Sequence, residues 1–405
     1  MNRRVAASWF ASLLAACALQ AAALAGTLVV NSNASDPAPR AAWQALVERF
    51  QRENPDVDVR LNVTDHESYK RQIRNWLTGA PPDVVFWFAG NRMRQFVAPG
   101  LLADVSALYT PAVRAQLHPS ALELVSDGGR AWGVPYTWYP VGLYYRRDLM
   151  SAPATWNDLL AACERLRARG LEPIAIGTKD LWPAAAWFDY LDLRLNGQPF
   201  HLRLLEGDIP WTDARVRSVF AHWRELIDRD CFARHHASAT WQEAQALVYQ
   251  GKSAFSLMGH YVVAQMPRDV LPRMDFAPFP MLRSGFERDE EAPVNSLHIP
   301  ERAKNRADAM RFLAFVLRAD VQEELNRATL QIPVNLQARP ADDRFVQAGR
   351  AHLAGAARLS QYFDRDARED FAQTALNGFQ EFMLHPERLD AILETLEQAR
   401  RRLRR

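Results

Sequence analysis

The chain has 405 residues, of which 48% are hydrophobic and 24% are charged, as in an ordinary soluble globular protein. This length exceeds what one hydrophobic core usually supports, so we expect two domains. Residues 1–25 carry two arginines and no acid, which leaves 47 of the 49 basic residues against 47 acidic ones in the remaining chain. A neutral chain gives no electrostatic reason to expect nucleic acid or a membrane surface as a partner.

The first 25 residues have the pattern of an export signal. Arg3 and Arg4 precede an apolar stretch from residue 5 to about 19, and Ala-Leu-Ala at 23–25 is a typical cleavage site. We therefore predict a signal peptide over 1–25. Cys17 follows Leu-Ala-Ala and is an alternative site for a lipid anchor, less favoured because the residues after it are apolar.

Strands and helices alternate through the first part of the remaining chain. Apolar residues predict strands at 27–31, 57–63 and 84–87, and helical spacing predicts helices at about 39–53 and 67–77. This order is typical of an α/β layer with a largely parallel sheet.

The same pattern resumes after Pro140. The spacing predicts strands at 142–145, 173–177 and 253–258, helices at about 182–195, 213–228, 241–250 and 303–318, and a largely helical final hundred residues. Thr155 and Asp158 have the spacing of a capping box that opens a helix to about 168. The basic run 400–405 is interpreted as cations at the C-terminal end of the last helix.

Two cysteines, Cys163 and Cys231, remain after residue 25. An exported protein meets an oxidising compartment, so a disulfide between them is allowed. Cys163 also lies on the apolar face of a predicted helix, where a buried free thiol would fit. Both interpretations stay open at this point.

Several segments resemble the family of sugar-binding proteins of ABC importers, which includes the maltose- and glucose-binding proteins. The segments keep the order and rough spacing of that family over essentially the whole chain after residue 25; they are residues 82–87, 100–105, 132–136, 142–149, 154–159, 241–244, 250–255 and 258–259.

This resemblance implies a two-lobed α/β protein with the type II periplasmic-binding-protein fold, each lobe a sheet flanked by helices and joined by crossing hinge segments. Lobe one would comprise 26–137 and 293–332, and lobe two 138–292 and 333–405. It further implies a periplasmic monomer that binds a sugar between the lobes and delivers it to ABC permease subunits. No cofactor and no metal are expected.

A sugar ring has apolar faces that stack on aromatic side chains and hydroxyls that need hydrogen-bond partners. The family pattern implies binding roles for Trp87, Phe88, Asn91, Trp182, Trp241, His260, Tyr261 and Asn295. Other candidates follow from their position after strands or in loops; these are Asn33, Asp65, His66, Trp138 and Asp180. Trp43, Trp76 and Trp223 lie on helical apolar stripes and are expected in the core.

The sequence departs from the glucose-binding relatives in one respect. Those relatives have an acid at the positions of His260 and Asn295, where a carboxylate can accept bonds from two sugar hydroxyls. The identity of the sugar, and whether it is a mono- or an oligosaccharide, therefore stays open.

Two other classes of function compete with sugar transport. A secreted carbohydrate-active enzyme needs two carboxylates across a cleft, whereas Asp189 and Asp192 are three positions apart on one predicted helix face. Common hydrolase and metal-site motifs do not occur in the sequence, so no enzyme is predicted. The same fold could instead bind a polyamine or a glycerol-phosphate-type ligand, and Arg92 and Arg94 leave the latter open.

Overall fold

A computed structural model describes residues 26–403 of the chain. The predicted signal peptide, Cys17 and the last two residues of the basic run lie outside the described residues.

The described residues form strands and helices in alternation. The strands are β1 (Leu28–Ser32), β2 (Val59–Val63), β3 (Val84–Phe88), β4 (Ser126–Asp127), β5 (Arg130–Ala131), β6 (Val134–Trp138), β7 (Val141–Arg146), β8 (Phe255–Gly259), β9 (Met274–Ala277), β10 (Asp289–Glu291), β11 (Val294–His298) and β12 (Arg358–Ser360). The helices are α1 (Pro37–Glu53), α2 (His66–Thr78), α3 (Asn91–Val97), α4 (Pro111–Gln116), α5 (Pro119–Leu124), α6 (Trp156–Ala168), α7 (Trp182–Asn196), α8 (Gln198–Leu205), α9 (Ala214–Ile227), α10 (Trp241–Tyr249), α11 (Arg306–Leu317), α12 (Ala319–Thr329), α13 (Arg344–Ala354), α14 (Phe363–Asp366), α15 (Glu369–Leu384) and α16 (Leu389–Leu403). Short 3₁₀ helices span Ser106–Leu108, His236–Ser238, His260–Gln265, Leu271–Arg273 and Pro386–Arg388.

The first sheet has the strand order β2-β1-β3-β11-β6. β1 is parallel to both β2 and β3, and β11 is antiparallel to its neighbours β3 and β6. The carboxyl ends of β1, β2 and β3 therefore meet at one edge, which is where α/β sheets bind ligands.

The second sheet has the order β8-β7-β9, with both pairings antiparallel. The strand predicted at 173–177 is wrong, because only Ile174 forms bridges, to Phe232 and to Phe255. Pro173 has no N–H to donate, and Gly177 lies so close to the backbone of Thr240 that a Cβ there would clash. Residues 173–177 therefore run beside the second sheet without forming a further strand of it.

Two large hydrophobic cores make the molecule two-lobed. One core packs around the first sheet and takes in β1 to β6, β11, α11 and α12; we call this lobe one. The other packs around α6 to α9, β7, β8, α15 and α16, and we call this lobe two. The change falls between Trp138 and Tyr139, and Val334, Ala341 and Val346 still pack in the first core. The lobe boundaries given above stay a prediction.

The segments that cross between the lobes carry small structural elements of their own. β10 pairs in parallel with β12 immediately before the chain re-enters the first sheet. Helix α14 packs against α3 of lobe one and against α7 of lobe two. It therefore lies at the junction, and its position depends on both lobes.

The two cysteines form a disulfide, with 5.4 Å between the Cα atoms of Cys163 and Cys231. This settles the alternative left open by the sequence. The predicted capping box is also present, since the Thr155 hydroxyl accepts from the N–H of Asp158 and the Asp158 carboxylate accepts from the N–H of Thr155. Among residues 26–403, every helix is too short or too polar to cross a membrane.

Candidate ligand cleft

A cavity of about 560 Å³ lies between the two lobes. This volume falls within the roughly 300–1,000 Å³ typical of small-molecule sites. Its walls come from the carboxyl ends of β1, β2 and β3 on one side and from the aromatic residues of lobe two on the other.

The wall from lobe one is mainly polar. Asn33 and Asp36 follow β1, Asp65 and His66 follow β2, and Phe88 ends β3. Burial lowers the pKa of His66 to about 3, so its imidazole is neutral at physiological pH. The Asp65 carboxylate caps α2 by accepting from the N–H of Ser68 at 3.0 Å, which holds its pKa below the usual value.

Two further acids on this wall behave differently. Burial raises the pKa of Asp36 and that of Glu67. Asp36 accepts a hydrogen bond from the Gln265 side chain at 3.2 Å, and Glu67 pairs with Lys70 at 3.2 Å. Each therefore has a partner within the protein before any ligand arrives.

The wall from lobe two consists largely of aromatic rings packed edge to face. The Tyr261 ring lies 5.5 Å from the ring of Tyr139 and 5.5 Å from that of Trp241, measured between centroids. The Trp182 ring lies 5.6 Å from that of Tyr362. Each ring is held by its neighbours, so the wall presents fixed apolar surface to the cleft.

Three tyrosine hydroxyls on this wall lie beside polar groups without an aligned hydrogen bond: those of Tyr261 and Tyr362 are neighbours, and that of Tyr139 is a neighbour of Arg365. The oxygens of Tyr139, Tyr261 and Tyr362 are buried, and none makes a hydrogen bond of standard geometry with another described residue. Burial raises the pKa of all three phenols, so they stay protonated and can donate. Buried polar groups normally have partners, so these hydroxyls point to a ligand or ordered water.

Helix α14 supplies a charged pair of neighbours to the cleft, Asp364 and Arg365. The guanidinium carbon of Arg365 lies 3.9 Å from the centroid of Phe88, and its Nη1 lies 3.3 Å from Oδ1 of Asn295. Burial acts to raise the pKa of Asp364, but the positive charges of Lys70, Arg92 and Arg365 hold it below its usual value. Asp364 is therefore an ionised acceptor.

The structure brings most of the sequence-predicted site residues to this cleft. Those that line it are Asn33, Asp65, His66, Phe88, Asp180, Trp182, Trp241, Tyr261 and Asn295.

Four predicted residues do not line the cleft. The indole of Trp87 stacks on the ring of Phe88 with 4.7 Å between the centroids, donates to the carbonyl of Arg92 at 3.1 Å and is 3% exposed, so it lies behind Phe88. Trp138 is buried against His118. The Asn91 amide donates to the carbonyl of Asp366 and borders a separate surface depression. His260 is fully buried, with Nδ1 2.8 Å from the Tyr144 hydroxyl.

Sequence reasoning missed several residues that line the cleft. They are Asp36, Glu67, Lys70, Tyr136, Tyr139, Gln331, Tyr362, Asp364 and Arg365, among others. Asp36, Glu67 and Lys70 follow strand ends, which is the signal that found Asn33 and Asp65. Tyr362, Asp364 and Arg365 lie in a stretch predicted only as helical, where the sequence offers no comparable signal.

Comparisons with known proteins agree with this architecture. The solved structure of the bacterial solute receptor AcbH, described as having an exclusive substrate preference for β-D-galactopyranose, superposes with a TM-score of 0.90 at 27% identity, covering 94% of this chain and 100% of that one. A structure from work on xylan utilisation by Caldanaerobius polysaccharolyticus has the same fold, with a TM-score of 0.86, 20% identity and coverage of 92% and 99%. An uncharacterised ABC transporter extracellular-binding protein of Pyrococcus horikoshii is 23% identical over 314 residues, covering 74% of this chain and 70% of that protein.

The match to a protein family covers most of the same region. Residues 33–323 match the bacterial extracellular solute-binding proteins, and this stretch includes most of both walls of the cleft; the lining residues beyond it are Leu325, Thr329, Gln331, Tyr362, Asp364 and Arg365. This chain therefore belongs to the family of bacterial extracellular solute-binding proteins.

Proposed function

We propose that the protein is the periplasmic solute-binding component of an ABC importer and that it binds a sugar in the cleft between its lobes. The family supports solute binding, and the Pyrococcus relative is named as a component of an ABC transporter. The similarity to AcbH makes a hexopyranose such as D-galactose the first ligand to test.

The observation that carries this proposal is an aromatic wall with three buried hydroxyls, those of Tyr139, Tyr261 and Tyr362, none of which makes a hydrogen bond of standard geometry with a described residue. A pyranose presents an apolar C–H face and a rim of hydroxyls, so one wall can satisfy both. Asp364 would accept from sugar hydroxyls and Arg365 would donate to them, with the added strength of charged hydrogen bonds.

The proposed ligand contacts combine both lobes. The nine predicted residues that line the cleft are joined by Tyr139, Tyr362, Asp364 and Arg365. Trp87, Asn91, Trp138 and His260 would support the walls from behind rather than contact the sugar. Because the ligand would touch both walls, it would favour a closed arrangement by its greater affinity for that state.

The remaining parts of the proposal concern export and assembly. Residues 1–25 would direct the chain to the periplasm and be removed. The monomer, closed on its sugar, would then dock on the permease subunits. A polyamine is a weaker candidate, because the four cations of the cleft nearly balance its five acids and leave little attraction for a polycation; the cations are Lys70, Arg71, Lys179 and Arg365, and the acids are Asp36, Asp65, Glu67, Asp180 and Asp364. The same balance leaves little attraction for a phosphate ester, and Arg92 and Arg94, which left that ligand open, do not line the cleft.

The test is thermal unfolding of residues 26–405 with a panel of sugars led by D-galactose, alongside spermidine and glycerol 3-phosphate. A ligand that binds only the folded state stabilises it by about 2.7 kcal/mol at a hundred times its Kd. We expect a raised midpoint with a sugar only. A shift with spermidine or glycerol 3-phosphate and with no sugar would overturn the proposed ligand.

A pair of variants ties that result to the cleft. Trp241→Ala removes a ring from the aromatic wall and should abolish most of the sugar-induced shift. Trp132→Ala is the matched control, since Trp132 is also half-buried but lies outside the cleft, where its indole donates to the carbonyl of Asp127 at 3.0 Å. Equal losses in both variants would place the sugar elsewhere.

A further inference from the structure

Two carboxyl groups lie fully buried beneath the cleft. Asp189 is on α7 and Glu291 is the last residue of β10, and both side chains have no exposed surface. Oδ1 of Asp189 and both carboxyl oxygens of Glu291 accept no hydrogen bond from a described donor. The two groups lie within hydrogen-bonding reach of each other. Two carboxylates cannot donate, so a bond between them requires a proton on one.

The cations near Asp189 and Glu291 do not replace this proton. The charged and titratable groups that face the pair are Tyr190 and Asp192 from α7, His201 from α8, Glu290 from β10, Asp364 from α14, and Tyr139 and Tyr362 from the cleft wall. Around these, Arg194 and His352 contact Glu290, and Asp366 acts on His201. His201 bonds Asp192 at 2.8 Å and lies 3.5 Å from Asp189. Arg194 bonds Glu290 at 2.8 Å and the carbonyl of Asp289. Arg194 is thus paired with another acid, and the single charge of His201 is divided between Asp192 and Asp189.

The other carboxyl oxygen of Asp189 leads to the cleft. Its Oδ2 accepts from the backbone N–H of Phe363 at 2.8 Å, at the first residue of α14. The next two residues of that helix are Asp364 and Arg365, which line the ligand cavity. The position of α14, and with it these two side chains, therefore depends on Asp189.

We propose that Asp189 and Glu291 are positioning residues that share one proton, hold α14 in place for the ligand and make ligand affinity fall when that proton is lost. This inference rests on the proposed function, because it concerns the same cleft. Without the proton, two adjacent negative charges would be buried beside His201, whose single charge Asp192 already shares, and their repulsion would displace Asp189 from Phe363.

The direction of the pH dependence follows from the burial. Burial raises the pKa of both Asp189 and Glu291, and burial is the largest cause for each. A group whose pKa is raised by folding contributes its full stability below its unfolded value, and that contribution is lost as the pH rises through the folded value. Ligand affinity should therefore be highest in mild acid and fall toward alkaline pH.

The experiment measures the Kd for D-galactose, or for the sugar that gives the largest thermal shift, from pH 6 to 9 by calorimetry. We expect the Kd of the wild type to rise about fivefold or more over this range, the lower end of typical coupling between sites. Glu291→Gln keeps the shape of a protonated acid and should hold the Kd flat. Asp189→Asn offers a second route, since its amide can donate to Glu291 while its oxygen still accepts from Phe363.

Glu225→Gln is the matched control, because Glu225 is a half-buried acid that accepts from the Trp156 indole at 3.0 Å outside the cleft. It should keep the wild-type pH profile. The cleft acids Asp36 and Glu67 are present in every variant, so their titration cancels in the comparison.

The outcomes separate the two proposals. A wild-type Kd that changes less than about twofold, or an unchanged pH profile in both Glu291→Gln and Asp189→Asn, overturns this inference and leaves sugar binding intact. Absence of binding to any sugar at every pH overturns the proposed function and this inference with it.

Discussion

Arg365 makes contacts with residues of both lobes at the base of the cleft. Its guanidinium carbon lies 3.9 Å from the ring centroid of Phe88 in lobe one and 5.1 Å from that of Tyr139 in lobe two. A guanidinium so placed is fixed before the ligand arrives, so it would donate to a sugar at little further entropic cost. Loss of the Arg365 side chain should therefore directly lower the affinity for the sugar.

We therefore expect Arg365→Met, which keeps the length and removes the charge, to weaken sugar binding roughly tenfold or more. Hydrogen bonds to charged groups contribute about 1.5–3 kcal/mol, and about 1.4 kcal/mol corresponds to a tenfold change in Kd. Titration calorimetry measures this. Arg368→Met, at an exposed arginine nearby that does not line the cleft, is the control and should bind normally. Equal Kd values for the two variants would contradict the role given to Arg365.

At the scale of single residues, the sequence identifies the chain segments that reach the cleft. It identifies less well the side chains that point into the cleft. Strand ends are visible from the sequence, so Asn33, Asp65 and Phe88 could be found. Trp87 and Phe88 are adjacent in a strand whose five residues are all buried, and an all-apolar strand does not reveal which side chain meets the ligand. Arg365 depends on a contact between distant parts of the chain.

At the scale of elements, helices and strands with a regular apolar pattern could be predicted from the sequence, whereas the acidic strand β10 could not. The capping box at Thr155 and the alternation of strands and helices follow from local chemistry. β10 consists of Asp289, Glu290 and Glu291, all buried, and no propensity argument places three acids in a buried strand. Their burial depends on Arg194, which pairs with Glu290 and is supplied by a helix about a hundred residues earlier.

The disulfide is an element-scale constraint that can be tested. It joins α6 to the segment after α9 across a sequence separation of 68 residues, and both cysteines are fully buried in the core of lobe two. The chain-entropy relation gives about 4 kcal/mol for a loop of this length. We expect Cys163→Ala/Cys231→Ala to unfold at lower denaturant concentration, with a loss of roughly 2–5 kcal/mol.

The matched measurement is the wild type with and without a reductant. Reduced wild type should approach the double variant, while sugar affinity at 20 °C stays unchanged, because neither cysteine lines the cleft. Identical denaturation curves for oxidised and reduced wild type would contradict this account.

At the scale of the whole molecule, acids in two different regions are stabilised in two different ways. In lobe one, ion pairs at the surface fasten α1 to α12: Arg49 pairs with Asp320 and with Glu324, and Arg318 pairs with Glu53. At the junction with lobe two, the acids are buried and rely on a shared proton. The surface pairs need ionised carboxylates and the buried pair needs a protonated one, so acid and alkali should act on different regions.

This difference predicts a maximum in stability against pH. The hydrogen bond from Arg318 lowers the pKa of Asp320 to about 2 and also lowers that of Glu53. Acids with a lowered pKa contribute stability above their unfolded value near 4 that is lost as the pH falls through the folded value. The pKa values of Asp189 and Glu291 are raised, so the contribution of these two acids to stability is lost as the pH rises. We expect the unfolding midpoint to peak between these limits, at roughly pH 5–7.

Variants separate the two limbs of this curve. Asp320→Asn should cost roughly 0.5–1 kcal/mol at pH 7, as expected for exposed ion pairs, and almost nothing near pH 1, below the folded pKa of about 2, where the carboxylate of the wild type is protonated. High salt should shrink the difference at pH 7, because these pairs are exposed to solvent. The exposed Asp269 gives the control Asp269→Asn, which should leave the curve unchanged.

Glu291→Gln should flatten only the alkaline limb. If Asp320→Asn altered the alkaline limb, or Glu291→Gln the acid limb, the assignment of the two limbs to separate regions of the molecule would be wrong.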